Sequence, residues 1–315
     1  MNLIKTNFAS KGAIISRIGG RSENQDFFGF RDTPIGQTIV VCDGMGGMQG
    51  GQVASTIAVN SILEYLSSIA EGADIPEALT NAVKQANADI INAGNNDSSL
   101  YGMGTTVTIL VLNETCATAA YVGDSRIYQL RGRRKVFRTF DHSMVFEMVK
   151  NGVITEEQAR LSEQSNVILK ALGVFPDIEP DIYVLPYSKG DRFILCSDGF
   201  WGAMPEKEFL CHISSKGDIA NIVEHTANIV EDIGHNNGGN HDNLTAAIID
   251  VECNSLLKEK MSKIVKIVLA ALVALLVVSV SLNVYQYTKF TKVKTIESSE
   301  NTGSANDIEN NKSDN

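Results

Sequence analysis

Five aspartates stand at the ends of strand-like segments in this sequence. Three apolar segments rich in β-branched residues each end at an aspartate in a small-residue context: residues 38–44 (TIVVCDG), 119–124 (AAYVGD) and 193–199 (FILCSDG). Two further segments begin just after one, at Asp26 before FFGF and at Asp242 before NLTAAII. Because the end of one antiparallel strand lies beside the start of its neighbour, we expect these carboxylates to meet at one sheet edge.

Such a cluster of acids requires compensating cations. At an effective dielectric constant of about 20, each like-charged pair about 4 Å apart repels by roughly 4 kcal/mol. The pattern therefore predicts a site for two or more hard metal ions. The turn DGMGG at 43–47 suits this role, since a flexible glycine lets the Gly44 carbonyl face the same ion as the Asp43 carboxylate. Taken alone, such a sequence is commonly only a turn.

The elements that must position these acids follow from hydrophobic periodicity. Strands are predicted at 13–18, 26–30, 37–42, 104–112, 115–122, 126–130, 182–185, 191–196 and 243–251. Helices are predicted at 52–69, 75–93 and 219–233, and the polar stretch 141–172 is also predicted to be helical. Strands grouped before and after paired helices favour an α+β domain with antiparallel sheets over a doubly wound parallel one.

Composition narrows the class of protein. The chain has 315 residues, 43% of them hydrophobic, which is typical of a globular protein. Its net charge of −10 argues against a nucleic-acid partner, because phosphate backbones are bound mainly by Lys and Arg. The five cysteines are scattered without a C-x-x-C pair, so we expect free thiols in a reducing cytosol. The first residues lack the apolar core of a secretory signal.

Residues 267–287 carry no charged side chain and are long enough to cross a bilayer as a helix. The alternative is a buried core helix. Lysines flank the segment, with a small excess before it, which places the globular domain in the cytoplasm of a single-pass cell-membrane protein. The expected organisation is a domain at 1–254, a basic juxtamembrane linker at 255–266, the span at 267–287, and a disordered polar tail at 288–315.

Further motifs accompany the aspartates in a fixed order. They are RSENQD at 21–26, GTT at 104–106, GDSR at 123–126, DHS at 141–143 and DNLT at 242–245. In this order, across residues 13–250, the pattern resembles the metal-dependent protein phosphatase family, type 2C (the PPM family), and its bacterial branch most closely. The resemblance implies two antiparallel β-sheets sandwiched between helices (α-β-β-α). It also implies hydrolysis of phosphoserine and phosphothreonine in proteins by metal-activated water.

The same resemblance implies roles for four metal ligands. Asp43 would bridge two Mn²⁺ or Mg²⁺ ions, and the Gly44 carbonyl would join it on one of them. Asp198 and Asp242 would hold the other ion. Asp43, Asp198 and Asp242 would thereby be essential for catalysis.

Outer roles are implied for further residues. Asp26 would act on an ion through water, and Asp124 would share a third ion with Asp198, as in bacterial members. Arg21 would grip the substrate phosphate, which a guanidinium can do through two parallel hydrogen bonds. Asn243 would orient the Asp242 end of its strand.

The chain departs from the family pattern at several positions. Eukaryotic members carry a histidine at the position of Met45, where it is proposed as a general acid, and many members carry one at Met48. The segment at about 141–178 resembles the flap that lies over the site in bacterial members. It has Gln164 and Ser165 where a proline and an arginine are usual. These departures motivate an alternative, a catalytically weak or inactive sensor or scaffold that binds phosphoproteins at the membrane. For the active enzyme, the expected partners are phosphorylated proteins, with a membrane Ser/Thr kinase and its substrates as candidates.

Several polar residues near these motifs have a structural interpretation. Arg126 is expected to be structural, and Asp141 is expected to cap a helix N-terminus. His142 would then be hydrogen-bonded or exposed beside it. His235 and His241 are expected in a flexible Gly- and Asn-rich loop.

Overall fold

The computed structural model describes residues 2–4, 10–46 and 50–309, with side chains at 10–46 and 50–289. The chain divides into two compact units, Met1–Lys258 and Glu259–Asn315. Met48, one of the positions that departs from the family pattern, lies outside the described residues.

The first unit contains twelve described strands. In chain order they are β1 Asn2–Ile4, β2 Ser10–Arg17, β3 Asp26–Thr33, β4 Gly36–Met45, β5 Gly104–Thr105, β6 Val107–Leu112, β7 Ala117–Val122, β8 Arg126–Arg131, β9 Arg134–Arg138, β10 Asp181–Leu185, β11 Asp191–Cys196 and β12 Leu244–Val251. Sheet A has the order β1-β2-β12-β11-β8-β9, and sheet B has the order β10-β7-β6-β4-β3 with β5 beside β4. Neighbouring strands in both sheets pair antiparallel.

Eight described α-helices and one short 3-10 helix, Ser98–Leu100, accompany the strands. The α-helices are α1 Gly50–Ser68, α2 Ile75–Asn96, α3 Met144–Lys150, α4 Glu156–Arg160, α5 Asp198–Trp201, α6 Glu206–Ile213, α7 Ile219–Asn236 and α8 Leu256–Glu309. Helices α1 and α2 cover the outer face of sheet B, while α6 and α7 cover that of sheet A.

Side-chain alternation divides each central strand between two cores. On β4, Val40 and Cys42 face the α1–α2 layer, whereas Ile39 and Val41 face the opposing sheet. On β11, Ile194 and Cys196 belong with α6 and α7, while Phe193 and Leu195 join the core between the sheets. Both faces of these strands are covered, which explains why they read as continuous apolar runs. The predicted α-β-β-α sandwich is confirmed.

The prediction of one helical stretch over 141–172 is wrong. Only α3 and α4 form there, because Gly152 adopts a positive φ of 70° after α3 and Thr155 starts α4 with a capping box. The predicted strand at 104–112 is interrupted at Thr106. Strand β9 and helices α5 and α6 were not predicted, and each is short, at five, four and eight residues.

The second unit is helical, and α8 begins before this unit, within the first. Its portion Leu256–Lys289 is long and apolar enough to cross a membrane. The helix includes the predicted linker except for its first residue, Ser255, and continues to Glu309 through most of the predicted disordered tail. No proline follows residue 205, and helix propagation adds one hydrogen bond for each residue fixed. Residues 310–315 lie outside the described part of the chain.

Candidate functional site

Asp26 and Asp43 lie opposite each other on neighbouring strands of sheet B. They are paired in the β3–β4 register, with Asp26 only 5% exposed and Asp43 half-buried. Two threonines fix the backbone of Asp43. Its N–H donates to Thr106 Oγ1 (3.0 Å), while its carbonyl accepts from the Thr106 N–H (2.8 Å) and from Thr105 Oγ1 (2.8 Å). The interruption of the predicted strand at Thr106 therefore holds a candidate ligand.

Sheet A supplies Asp198 and Asp242 at the same end of the molecule. Asp198 opens α5 just after β11, and Asp242 lies two residues before the neighbouring strand β12. Ser197 joins the two sheets, since its hydroxyl donates to Asp26 Oδ2 (2.7 Å) and accepts from the Thr245 N–H (3.0 Å). Sequence reasoning overlooked Ser197; its polarity at the end of a buried strand is the signal that could have revealed it.

The loop that carries Arg21 is held by Asn243. The Asn243 Nδ2 donates to the carbonyls of Ile18 (2.7 Å) and Glu23 (2.9 Å), and the Asn243 Oδ1 accepts from the Gln25 N–H (2.8 Å). Arg21 Nη2 then reaches Asp242 Oδ2 at 2.9 Å, with 44% of the arginine side chain still exposed. The bond to Asp242 therefore holds the guanidinium in place, while much of the Arg21 side chain remains accessible to a ligand.

Asp124 lies at the crossover from β7 to β8 and is 4% exposed. Its backbone carbonyl accepts a hydrogen bond from Trp201 Nε1 (3.2 Å). The Trp201 ring also lies 3.2 Å from Arg126 Cζ in a cation–π contact. Trp201, which follows Asp198 by three residues, thus links the Asp124 turn to the Asp198 helix.

The buried acids raise one another's pKa. Burial, with the charges of Asp198 and Asp242, raises the pKa of Asp26 to about 7, although hydrogen bonds from Ser197 and Thr245 oppose the shift. Burial and the Asp242 charge raise the pKa of Asp198 to about 6. The pKa of Asp43 lies well above its ordinary range because of burial and then the charge of Asp26.

Asp124 follows the same rule. Burial, then the negative charges of Asp198 and Asp141, hold its pKa well above the ordinary range. Without cations, this end of the molecule thus opposes the ionisation of its own carboxylates.

Oxygen atoms without partners point to what this site binds. Among the described residues, buried oxygens of Asp26, Asp124, Asp198 and Glu23 (Oδ1, Oδ1, Oδ1 and Oε2) accept no hydrogen bond. Within the same residues, no three acidic, histidine or cysteine side chains close around a single ion position. Any ion would therefore need other oxygens to complete its shell, such as the Gly44 carbonyl and water. The donor set is all oxygen, which fits Mg²⁺ or Mn²⁺ and does not resemble a zinc site.

Two adjoining cavities open over these acids. One, of 740 Å³, is lined by Arg21, Asp43, Gly44, Asp198 and Asp242 among others. The second, of 410 Å³, shares Arg21, Asp198 and Asp242 and extends beneath the flap to Phe146 and Arg160. Together they form a site in which the carboxylates and the Arg21 guanidinium line the same open space.

The expected helix-capping role of Asp141 is wrong. Ser143 caps α3 instead, while the 2% exposed Asp141 side chain accepts two hydrogen bonds from Arg126, at 2.8 and 2.7 Å. Arg126 is structural, as predicted. His142 is hydrogen-bonded, accepting from the Gly123 N–H at 3.1 Å.

Of the two C-terminal histidines, only His235 was misplaced, since His241 lies in the loop between α7 and β12 as predicted. His235 belongs to α7 rather than to a loop. His241 is half-buried, packs its ring 5.0 Å from that of His235, and lines the smaller cavity. The signal for His241 was its position directly before Asp242.

Comparison with known proteins agrees with this geometry. A sequence model of protein phosphatase 2C matches residues 16–237. The chain belongs to the protein phosphatase 2C family. It is 32% identical over 235 residues to the serine/threonine phosphatase stp of Listeria monocytogenes, covering 74% of this chain and 88% of that one.

Solved structures agree with the sequence match. The S. agalactiae serine/threonine phosphatase superimposes with a TM-score of 0.70 at 29% identity, covering 77% of this chain and 100% of that chain. The catalytic domain of the phosphatase PstP, solved in complex with two manganese ions, gives a TM-score of 0.66 at 27% identity, covering 77% and 98%. This member of the family is therefore a protein phosphatase of the bacterial PPM type.

Proposed function

We propose that this phosphatase is a divalent-metal-dependent enzyme, anchored in the cell membrane, that hydrolyses phosphoserine and phosphothreonine in proteins. The observation that carries the proposal is the meeting of Asp26 and Asp43 from sheet B with Asp198 and Asp242 from sheet A beside Arg21. Unpartnered oxygens of Asp26 and Asp198 support cation binding there.

Asp43, the Gly44 carbonyl, Asp198 and Asp242 would hold two ions of Mn²⁺ or Mg²⁺. Asp26 would act through water, and Asp124 with Asp198 would hold a third ion. When bound, such ions neutralise phosphate charge and lower the pKa of coordinated water. The chain itself contributes the alignment of these ligands through Thr106, Ser197 and Asn243.

Arg21 would bind the phosphate of the substrate. Its guanidinium can donate two parallel hydrogen bonds to phosphate oxygens, and the bond to Asp242 fixes its orientation beforehand. Arg21 borders both cavities, so a phosphorylated side chain entering from the flap side would meet it. We therefore assign Arg21 to substrate binding and charge neutralisation.

The apolar part of α8 would anchor the domain, with the catalytic unit in the cytoplasm. The anchor would raise the effective concentration of the enzyme toward other membrane proteins. A membrane Ser/Thr kinase and its phosphorylated substrates are the partners that this arrangement favours. The helix 256–289, long and apolar enough to span a bilayer, supports the anchor.

The test of catalysis uses the full chain purified in detergent. We expect release of phosphate from phosphothreonine peptides and from p-nitrophenyl phosphate with added Mn²⁺, and none with EDTA. Asp43→Asn should lower kcat/KM by about 10³-fold or more, since several kcal/mol of transition-state stabilisation depend on the ions. Asp32→Asn, on the exposed end of the same sheet, is the matched control and should leave the rate unchanged.

Two outcomes would contradict the proposal. Robust turnover in EDTA would exclude metal-dependent catalysis. Phosphopeptide binding without phosphate release, at any Mn²⁺ concentration, would favour the sensor or scaffold alternative. The anchor is tested separately: the full chain should remain with membranes after carbonate extraction, and a fragment ending at Lys258 should not.

A further inference from the structure

The turn between β8 and β9 carries a dense group of cations. Residues 131–135 read RGRRK, and all five are exposed, in a chain whose net charge is −10. We call these residues the basic hairpin. Gly132 adopts a φ of 58° with open space around it, which permits a tight turn that projects its neighbours outward.

Only part of this charge is used inside the domain. Arg131 pairs with Asp191 at 2.7 Å, and Lys135 pairs with Glu206. Within the described part of the chain, the side chains of Arg133 and Arg134 make no hydrogen bond or ion pair. Two exposed guanidinium groups therefore remain available to an external anion.

The position of the basic hairpin is fixed by strand register. Arg131, at the end of β8, lies opposite Asp191, the first residue of β11. The N–H of Gly190 in turn bonds the carbonyl of Val251, the last residue of β12, at 2.8 Å. With about 4.8 Å between neighbouring strands, the hairpin lies roughly 10 Å from the end of β12.

The chain leaves the domain at this same edge. Just after β12, Ser255 is completely buried, and its N–H donates to the Tyr187 carbonyl at 3.1 Å. The next residue, Leu256, donates its N–H to the carbonyl of Glu114 at 2.9 Å. The departure point is thus held to the domain by backbone hydrogen bonds, so its distance from the basic hairpin is set by the fold.

We propose that the basic hairpin binds anionic lipid headgroups at the surface of the membrane that holds α8. The inference rests on the proposed membrane anchor and adds a second contact to it. Phosphate headgroups match guanidinium donors in charge and geometry, and the anchor brings this edge of the sheet near them.

Other charges at this edge leave it cationic. Lys189 is exposed beside the β11 start, and Lys11 is neutralised by Glu252 at 2.7 Å. Near the chain exit, Glu114 and Glu259 have no ion pair among the described residues. The unpaired cations Arg133, Arg134 and Lys189 outnumber the unpaired acids there.

The test isolates the hairpin from the anchor by using the fragment 1–258. This unit carries the cores described above, and the solved S. agalactiae phosphatase chain, matched over 100% of its length, corresponds to 77% of this chain, so we expect the fragment to fold on its own. We expect it to float with vesicles containing phosphatidylglycerol and not with phosphatidylcholine vesicles, and to be released by salt.

The double variant Arg133→Gln/Arg134→Gln should weaken partitioning onto the anionic vesicles by about 30-fold, equivalent to about 2 kcal/mol for two arginines. The matched control Lys150→Gln/Lys170→Gln removes the same charge from the flap and should partition like the parent. Hydrolysis of p-nitrophenyl phosphate by all three fragments reports that they are folded.

Equal partitioning of parent and double variant, or of the parent onto both kinds of vesicle, would overturn the proposal. An acidic protein would then be the alternative ligand of the hairpin. Failure of the anchor itself would appear elsewhere, as loss of the full chain from carbonate-washed membranes. The full-length double variant should remain in those membranes, since the apolar helix is unchanged.

Discussion

Asp26→Asn should stabilise the metal-free protein while harming the enzyme. In the folded protein the pKa of Asp26 is raised from 3.8 to about 7, so its ionisation opposes folding. The unfolded chain releases this proton near pH 4 and the folded chain near pH 7, and stability therefore falls as pH rises between these values. At about 1.4 kcal/mol per pKa unit, the full cost at neutral pH is roughly 4 kcal/mol.

Asparagine removes this charge and keeps an oxygen that can accept the hydrogen bond from the Ser197 hydroxyl. In the parent this bond goes to Asp26 Oδ2 at 2.7 Å. Because the neighbouring acids share the repulsion, we expect a gain of about 2–4 kcal/mol near pH 7, or roughly 5–15 °C in Tm. The measurement is thermal unfolding of the fragment 1–258 in EDTA, followed by circular dichroism between about pH 4 and pH 7. Added Mn²⁺ should then stabilise the parent more than the variant. The ions bind only the folded state, and the variant lacks the Asp26 carboxylate that would act on an ion through water.

The gap between variant and parent should be small near pH 4 and grow toward pH 7. A variant less stable than the parent at neutral pH in EDTA, or a gap that does not change with pH, would refute the electrostatic reasoning. The control Asp32→Asn removes an exposed carboxylate from the same strand and should change stability by no more than about 0.5 kcal/mol.

Three further predictions concern residues that support the site, each measured by chemical denaturation and phosphatase assay. Arg126→Met should destabilise the fold by about 3–5 kcal/mol, because Asp141 is left buried without its partner, and adding Asp141→Leu should restore much of the loss. Thr106→Val should cost about 1–3 kcal/mol and lower kcat, since the Asp43 N–H loses its acceptor. Gly44→Ala should cost about 3 kcal/mol and abolish turnover, because its Cβ would lie 2.0 Å from a carbonyl of α1; normal activity would contradict the packing argument.

Local patterns predicted an α+β domain with antiparallel sheets, and the family resemblance added the sandwich. The prediction that the aspartates meet at one sheet edge is wrong: they meet at one end of the molecule but come from two sheets, because a local pattern does not show which sheet a strand joins. Buried strands such as β4 and β11 are apolar runs that lead into Asp43 and Asp198, although the two strands belong to different sheets. The position of each aspartate relative to its strand was therefore readable before any contact was known.

Interactions between distant residues were not readable in the same way. Asp141 precedes a helix, and the pattern could not distinguish a cap from an ion pair with Arg126, which is fifteen residues away in the chain. The polarity of Ser197 is visible locally, but its partner Asp26 lies 171 positions away and could not be identified from the local sequence. The polar stretch 141–172 was overpredicted as helix because its apolar spacing resembles one, while Gly152 and the Thr155 cap divide it.

The division of ligands between the two sheets has a mechanical consequence. Asp26 and Asp43 move with one layer, and Asp198 and Asp242 move with the other, joined here by the Ser197 hydroxyl. Sliding one layer past the other by a single residue, about 3.3 Å, would separate the carboxylates without unfolding either sheet. The side chains packed between the sheets resist such a shear, so the central core also keeps the two pairs of ligands aligned.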